Sequence, residues 1–218
     1  MKCKFLAIGA ALLFFGLLAV PATASEEKTT IECSFVDVGG KISKEKVVLS
    51  EKNLEKLEGL ITKFINALQV AKSTEEVSQA ISTFCTGCHH LGLLKHFIFI
   101  RPLAYFRFVP CCSFVVSKGY GYRFLPFKYS NFRIYKPLTI WHYTNKYRLG
   151  ALCPSKTVIV RWLPFHVKTL TGVQLGFMTN FFGIYIYIAK PLPKKSFTFF
   201  MGFARHATGV EVPFAPFW

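Results

Sequence analysis

The sequence predicts an α+β fold: an N-terminal β-hairpin plus an antiparallel helix pair, followed by a β-rich aromatic C-terminal region. Three observations lead there. Apolar residues recur at helical spacing between residues 54 and 91, β-prone runs flank that segment on both sides, and the helical period stops at Gly92. The composition agrees with a packed chain. Of 218 residues 52% are hydrophobic and 17% aromatic, which is far too apolar for disorder and long enough to bury a real core.

The first 24 residues have a different character. Lys2 and Lys4 precede an apolar run from Phe5 to Val20, and Ala22-Thr23-Ala24 places small residues at the −3 and −1 positions before Ser25. That is the pattern of a secretory signal peptide cleaved after Ala24; an uncleaved anchor is the alternative for the same run. Export is the expectation in either case.

The elements then follow in order. Ile31, Cys33 and Phe35 alternate in a first strand over Thr29 to Val38, and Lys44 to Leu49 forms a second. Gly39-Gly40 between them supplies a tight turn. Ser50 is placed to cap a helix whose face is Leu54, Leu57, Leu60, Ile61, Phe64, Ile65 and Leu68. Ser73-Thr74-Glu75-Glu76 reads as a capping box in which Glu76 reaches back to the cap. The stripe Val77, Ala80, Ile81, Phe84, Cys88 and Leu91 continues the second helix, with Gly92 at its C-cap.

Beyond Gly92 the period is lost. Phe97 to Val116 is apolar, but Arg101, Pro102, Arg107 and Pro110 break it too often for a membrane helix. Lys118, Arg123, Lys128 and Arg133 then recur every five residues among Tyr and Phe. Leu170 to Ala189 is long enough to span a bilayer, and Gly172 and Gly176 give it a GxxxG spacing. Its Ile-Tyr alternation at 184–188 favours instead two strands, Val173 to Met178 and Gly183 to Ala189, turning at Thr179-Asn180. Ser196 to Ala204 is a further strand before a Pro-rich aromatic tail. The organisation expected is a signal peptide over 1–24, a small α+β module over 25–94, a basic aromatic region over 95–155 and an apolar β-rich or membrane-associated region over 156–218.

Charge separates these parts. Residues 1–90 carry ten Lys+Arg and ten Asp+Glu, whereas residues 91–218 carry seventeen against the single acid Glu211. A basic, aromatic and exported chain suits an anionic membrane or envelope surface, and export argues against nucleic acid. Paired carboxylates for glycoside hydrolysis are excluded from the second part, and no GxSxG, HExxH or phosphate-loop motif is present. The expected protein is therefore non-enzymatic and has no cofactor.

One motif points elsewhere. Cys85-Thr86-Gly87-Cys88-His89 has the CxxCH spacing in which two thiols take the vinyl groups of a haem and the histidine ligates its iron, so the alternative is a c-type haem electron-transfer protein using Cys85, Cys88 and His89. The same residues with His90, Cys111, Cys112 or Cys153 could be drawn into a zinc set, though without regular spacing. Counted past the signal peptide, Cys33, Cys85, Cys88, Cys111, Cys112 and Cys153 make an even number, and disulfides are the default in an exported chain. A further alternative is that the acid-free passage from Cys85 to Cys153 is a frame-shifted translation with no function of its own.

The signal peptide, the Thr30-Ile31-Glu32-Cys33 strand opening, the helix pair ending Leu91-Gly92-Leu93-Leu94 and the apolar Gly/aromatic end resemble a family of uncharacterised exported archaeal proteins. The resemblance covers residues 1–94 and 156–218 and leaves out Lys95 to Cys153. It implies archaeal origin and export; no activity is attached to the family.

Overall fold

The computed structural model of the protein describes residues 28–91 apart from 38 and 40, 112–121, 132–148 apart from 136, 151–189 and 196–212. The chain opens with the expected hairpin, β1 (Lys28–Val36) and β2 (Ile42–Ser50). Its turn is held by Asp37, whose carboxylate accepts from the Lys41 N–H at 2.7 Å while its own N–H donates to the Lys41 carbonyl at 3.0 Å. Gly40 lies outside the described residues, and the side chain of Asp37 provides the turn's closing hydrogen bond.

Helix α1 (Glu51–Val70) starts where the sequence places it, because the Ser50 hydroxyl accepts from the Asn53 N–H at 3.4 Å. Its buried face is Leu54, Leu57, Ile61, Phe64, Ile65 and Leu68, with Leu60 partly buried beside them. Helix α2 (Thr74–His90) is capped by Ser73, which accepts from the Glu76 N–H at 3.3 Å. Glu76 reaches back one residue further than a standard capping box, accepting from the Lys72 N–H at 2.8 Å. Leu91 closes the helix, and the expected cap Gly92 lies outside the described residues. The helices are joined through the stacked rings of Phe64 and Phe84, 4.6 Å apart.

The remaining strands are β3 (Ser113–Gly121), β4 (Phe132–Tyr135), β5 (Leu138–Tyr143), β6 (Lys146–Arg148), β7 (Ala151–Cys153), β8 (Lys156–Trp162), β9 (Phe165–Thr171), β10 (Gln174–Thr179), β11 (Phe182–Ile188), β12 (Ser196–Ala204) and β13 (His206–Glu211). They form a seven-stranded sheet, β2-β1-β11-β12-β3-β8-β9, a four-stranded sheet, β13-β10-β5-β4, and the ribbon β6-β7, with antiparallel pairing throughout. Because β1 pairs with β11, with Cys33 opposite Ile186, the N-terminal hairpin is one edge of the same large sheet as the C-terminal strands.

Side-chain alternation sorts this sheet into two packed faces. Phe114, Val116, Val158, Val160, Ile184, Ile186, Phe197, Phe199, Met201 and Phe203 meet the helix pair. Val115, Ile159, Tyr185, Tyr187, Phe200 and Ala204 meet Trp141, Tyr143 and Met178 of the four-stranded sheet. The result is three layers, helices over a central sheet over a second sheet. Strand β12 is buried along its whole length, which is why Ser196-Phe-Thr-Phe-Phe-Met-Gly-Phe-Ala204 has no charged residue and no strict polar alternation.

Two glycines make the second interface close. Gly176 of β10 lies opposite Trp141 of β5, and a Cβ there would sit 2.0 Å from Cζ2 of the indole. A Cβ on Gly119 of β3 would sit 2.2 Å from the Tyr143 ring. Both rings need a residue without a side chain beneath them.

The passage Leu170 to Ala189 holds the end of β9 and then β10 and β11, and among the described residues no helix is long and apolar enough to cross a membrane. The turn falls at Asn180, whose φ of 50° is left-handed, and its N–H donates to the Pro137 carbonyl at 2.8 Å. This turn passes the chain from one sheet to the other: β10 pairs with β5 and β13, and β11 with β1 and β12. The sheets also meet where β9 approaches β13. There the Glu211 carboxylate accepts from the Thr171 N–H at 2.6 Å and the Lys168 ammonium donates to the Gly209 carbonyl at 3.0 Å. The lone acid of the second part is thus a cap on an edge-strand N–H.

Candidate functional site

The CxxCH motif occupies the last turns of α2. Cys88 is fully buried in the core between helices and sheet, Cys85 is half-buried at its margin, and His89 and His90 are exposed. Helix α1 closes over the intervening glycine, since a Cβ on Gly87 would lie 2.7 Å from a Leu60 methyl. Burial pushes the Cys88 thiol up to about 12, with the neighbouring Cys85 adding to the effect. Burial likewise raises Cys85 to about 11 against a backbone hydrogen bond that pulls the other way.

These residues do not fit a covalent haem. Successive helix positions are turned by about 100°, so the side chain of Cys88 enters the core while that of His89 points to solvent. Cys88 belongs to the same apolar core as Ile81 and Phe84, and Leu60 stands against Gly87 between the two cysteines. A redox dithiol is disfavoured by the same burial, because thiolate is the reactive form. Among the described residues no three His, Cys, Asp or Glu side chains converge as metal ligands. Cys33, Cys85, Cys88 and Cys153 are free thiols, so the disulfides expected from the even count are not formed among these four; Cys111 lies outside the described residues.

The basic aromatic stretch is also rearranged by the fold. Lys118 and Tyr120 belong to β3. Tyr120 is buried against Phe197, with ring centroids 5.5 Å apart, and Lys118 is turned beneath α1, where its ammonium donates to the Thr62 hydroxyl at 3.0 Å. Arg133 sits in β4 opposite Ile140, while Arg123 and Lys128 lie outside the described residues. The five-residue recurrence of cations therefore does not begin on an open surface.

The outer face of the four-stranded sheet groups several of the exposed apolar side chains among the described residues. Along β10 the side chains alternate: Gln174, Gly176 and Met178 face inward, and Leu175 and Phe177 face out with 45% and 49% of their surface exposed. Leu175 lies between Val210 of β13, 59% exposed, and His142 of β5; Phe177 lies between Thr208 and Ile140. Partial burial holds the His142 imidazole below its ordinary range, which favours its neutral form. The acid of these strands, Glu211, is engaged with Thr171 at the corner. Sequence reasoning missed this face because Leu175, Phe177 and Met178 are all apolar. Only the packing of Trp141 onto Gly176 decides which side of β10 is inside.

No protein-family model matches the chain, and neither the curated proteins nor the solved structures searched contain a match to it.

Proposed function

We propose that this is an exported, non-enzymatic protein that attaches peripherally to a membrane or anionic envelope surface through the outer face of its four-stranded sheet. The observation that carries this reading is the group Leu175, Phe177 and Val210, exposed side by side on the outer face of the four-stranded sheet, whereas β12 at the centre of the larger sheet is buried along its whole length. The excess of seventeen basic residues over one acid in residues 91–218 supports an anionic partner surface. The signal-peptide pattern of residues 1–24, and the family resemblance with the archaeal origin it implies, support export. Strand β3 supports reading residues 85–153 as genuine protein, since its side chains alternate between two cores.

Fractionation of the native cells tests the proposal. The chain is expected in the envelope fraction, partly released by high salt and fully released by alkaline carbonate without detergent. Recovery in the soluble fraction at every ionic strength would refute it.

A further inference from the structure

A second feature lies on the opposite side of the central sheet from the attachment face. Lys118 of β3 and Lys156 of β8 are register partners, directly opposite each other and both facing α1. Residues so placed have Cβ atoms about 5 Å apart, which brings two ammonium groups together at the margin of the helix layer. Helix α1 meets them with neutral acceptors. The Lys118 ammonium donates to the Thr62 hydroxyl at 3.0 Å, and the Thr62 hydroxyl in turn donates to the Glu58 backbone carbonyl at 2.8 Å. The Lys156 ammonium donates to the Asn66 and Gln69 side-chain oxygens, each at 3.2 Å.

Among the described residues these contacts engage one N–H of Lys118 and two of Lys156. Each ammonium has three N–H groups, so two on Lys118 and one on Lys156 are not used by these contacts. We propose that Lys118 and Lys156, set against the Thr62, Asn66 and Gln69 side of α1, bind a phosphate-type oxyanion that bridges the two ammonium groups. Burial first, and then the charge of Lys156, lower the Lys118 titration, and both outweigh the opposing influence of Cys153 and Glu58. An oxyanion between the lysines would offset the repulsion and use the spare donors in charge-assisted hydrogen bonds.

The test uses the mature chain with isotope-labelled lysine, following the Lys118 side-chain resonance through a pH titration. Inorganic phosphate is expected to raise the Lys118 midpoint, whereas chloride at equal ionic strength is not. Lys156→Met should weaken phosphate binding by about tenfold or more and should itself raise the midpoint in the absence of phosphate. Phosphatidylglycerol vesicles form a second arm, run on the Leu175→Ser, Phe177→Ser, Val210→Ser chain so that the attachment face does not contribute. A response to vesicles but not to free phosphate would place the oxyanion in a lipid headgroup and would still support the site. An equal effect of chloride, undiminished phosphate binding by Lys156→Met, or no response to either probe would overturn it. Should Lys156→Met fail to fold, the phosphate-against-chloride comparison on the unaltered chain decides the matter alone.

Discussion

Replacing Leu175, Phe177 and Val210 together by serine removes the apolar part of the proposed attachment face. Their exposed fractions are 45%, 49% and 59%. Full burial of such a side chain is worth about 1.5–3 kcal/mol, so the half that is still exposed contributes about 1 kcal/mol per residue when it enters a lipid interface. The three together then amount to about 3 kcal/mol, or a factor of about 100 in partition coefficient. The residues point outward, so the fold should survive, with the loss of the already buried half of each side chain costing about 1 kcal/mol of stability per site. Co-sedimentation with mixed phosphatidylglycerol and phosphatidylcholine vesicles at fixed ionic strength measures the loss, and circular dichroism checks the fold. Fixing the salt matters because attraction between the basic chain and anionic lipid is screened by ions. A folded triple variant that partitions within about threefold of the unaltered chain would refute the assignment of this face.

Other outcomes follow from the packing. Gly176→Ala must move the indole of Trp141, which is fully buried and 5.5 Å from the Phe200 ring, and should cost about 1–3 kcal/mol in urea unfolding. Trp141→Phe in the same chain should recover part of that loss, and an unchanged midpoint for Gly176→Ala would contradict the packing. Alkaline pH should destabilise the protein. Cys33, Cys85 and Cys88 are raised from 9.0 to about 12, 11 and 12, and burial raises the Tyr143 phenol as well. Above about pH 9 the unfolded chain releases these protons while the folded chain keeps them, so stability present below that pH is lost as pH rises. Lys118, lowered by burial, acts in the opposite sense but is a single group. Chemical denaturation at a series of pH values should show stability falling beyond pH 9, and a rise there would contradict the burial of the thiols. Alkylation at neutral pH should label Cys88 in the unfolded chain and leave it largely unmodified in the folded one. Produced in a host that matures c-type cytochromes, the pure protein is expected to lack a Soret band. A band abolished by Cys85→Ala with Cys88→Ala would show that the helix end opens to accept haem.

Local rules made much of the first ninety residues legible. Ser50 and Ser73 cap helices because a hydroxyl just before an apolar stripe has backbone N–H groups to satisfy, and that is decided within four residues of chain. The helical faces were readable for the same reason: burying one side of a helix requires apolar residues at 3.6-residue spacing whatever lies opposite. The strands at Gln174–Thr179 and Phe182–Ile188 announced themselves through β-branched and aromatic residues.

What the strands pair with was not legible. Nothing local distinguishes a hairpin between β10 and β11 from the observed passage between two sheets, because strand partnership is a long-range choice made by whichever faces pack. The CxxCH motif shows the same division. Its spacing is a property of the sequence, but whether Cys88 is a ligand or a core residue depends on the layer beneath the helix, and the sheet places it in the core. The exposed apolar face of β10 and the Lys118–Lys156 pair likewise exist only once β10 meets β5 and β3 meets β8. By itself the sequence determined the two helices, their Ser caps, the strands β1, β2, β10, β11 and β12 and the basic bias of the second part, since these follow from residue type and spacing. Only the tertiary structure decided which apolar residues face water and which cations face each other, because exposure and charge proximity are properties of surfaces assembled from distant segments.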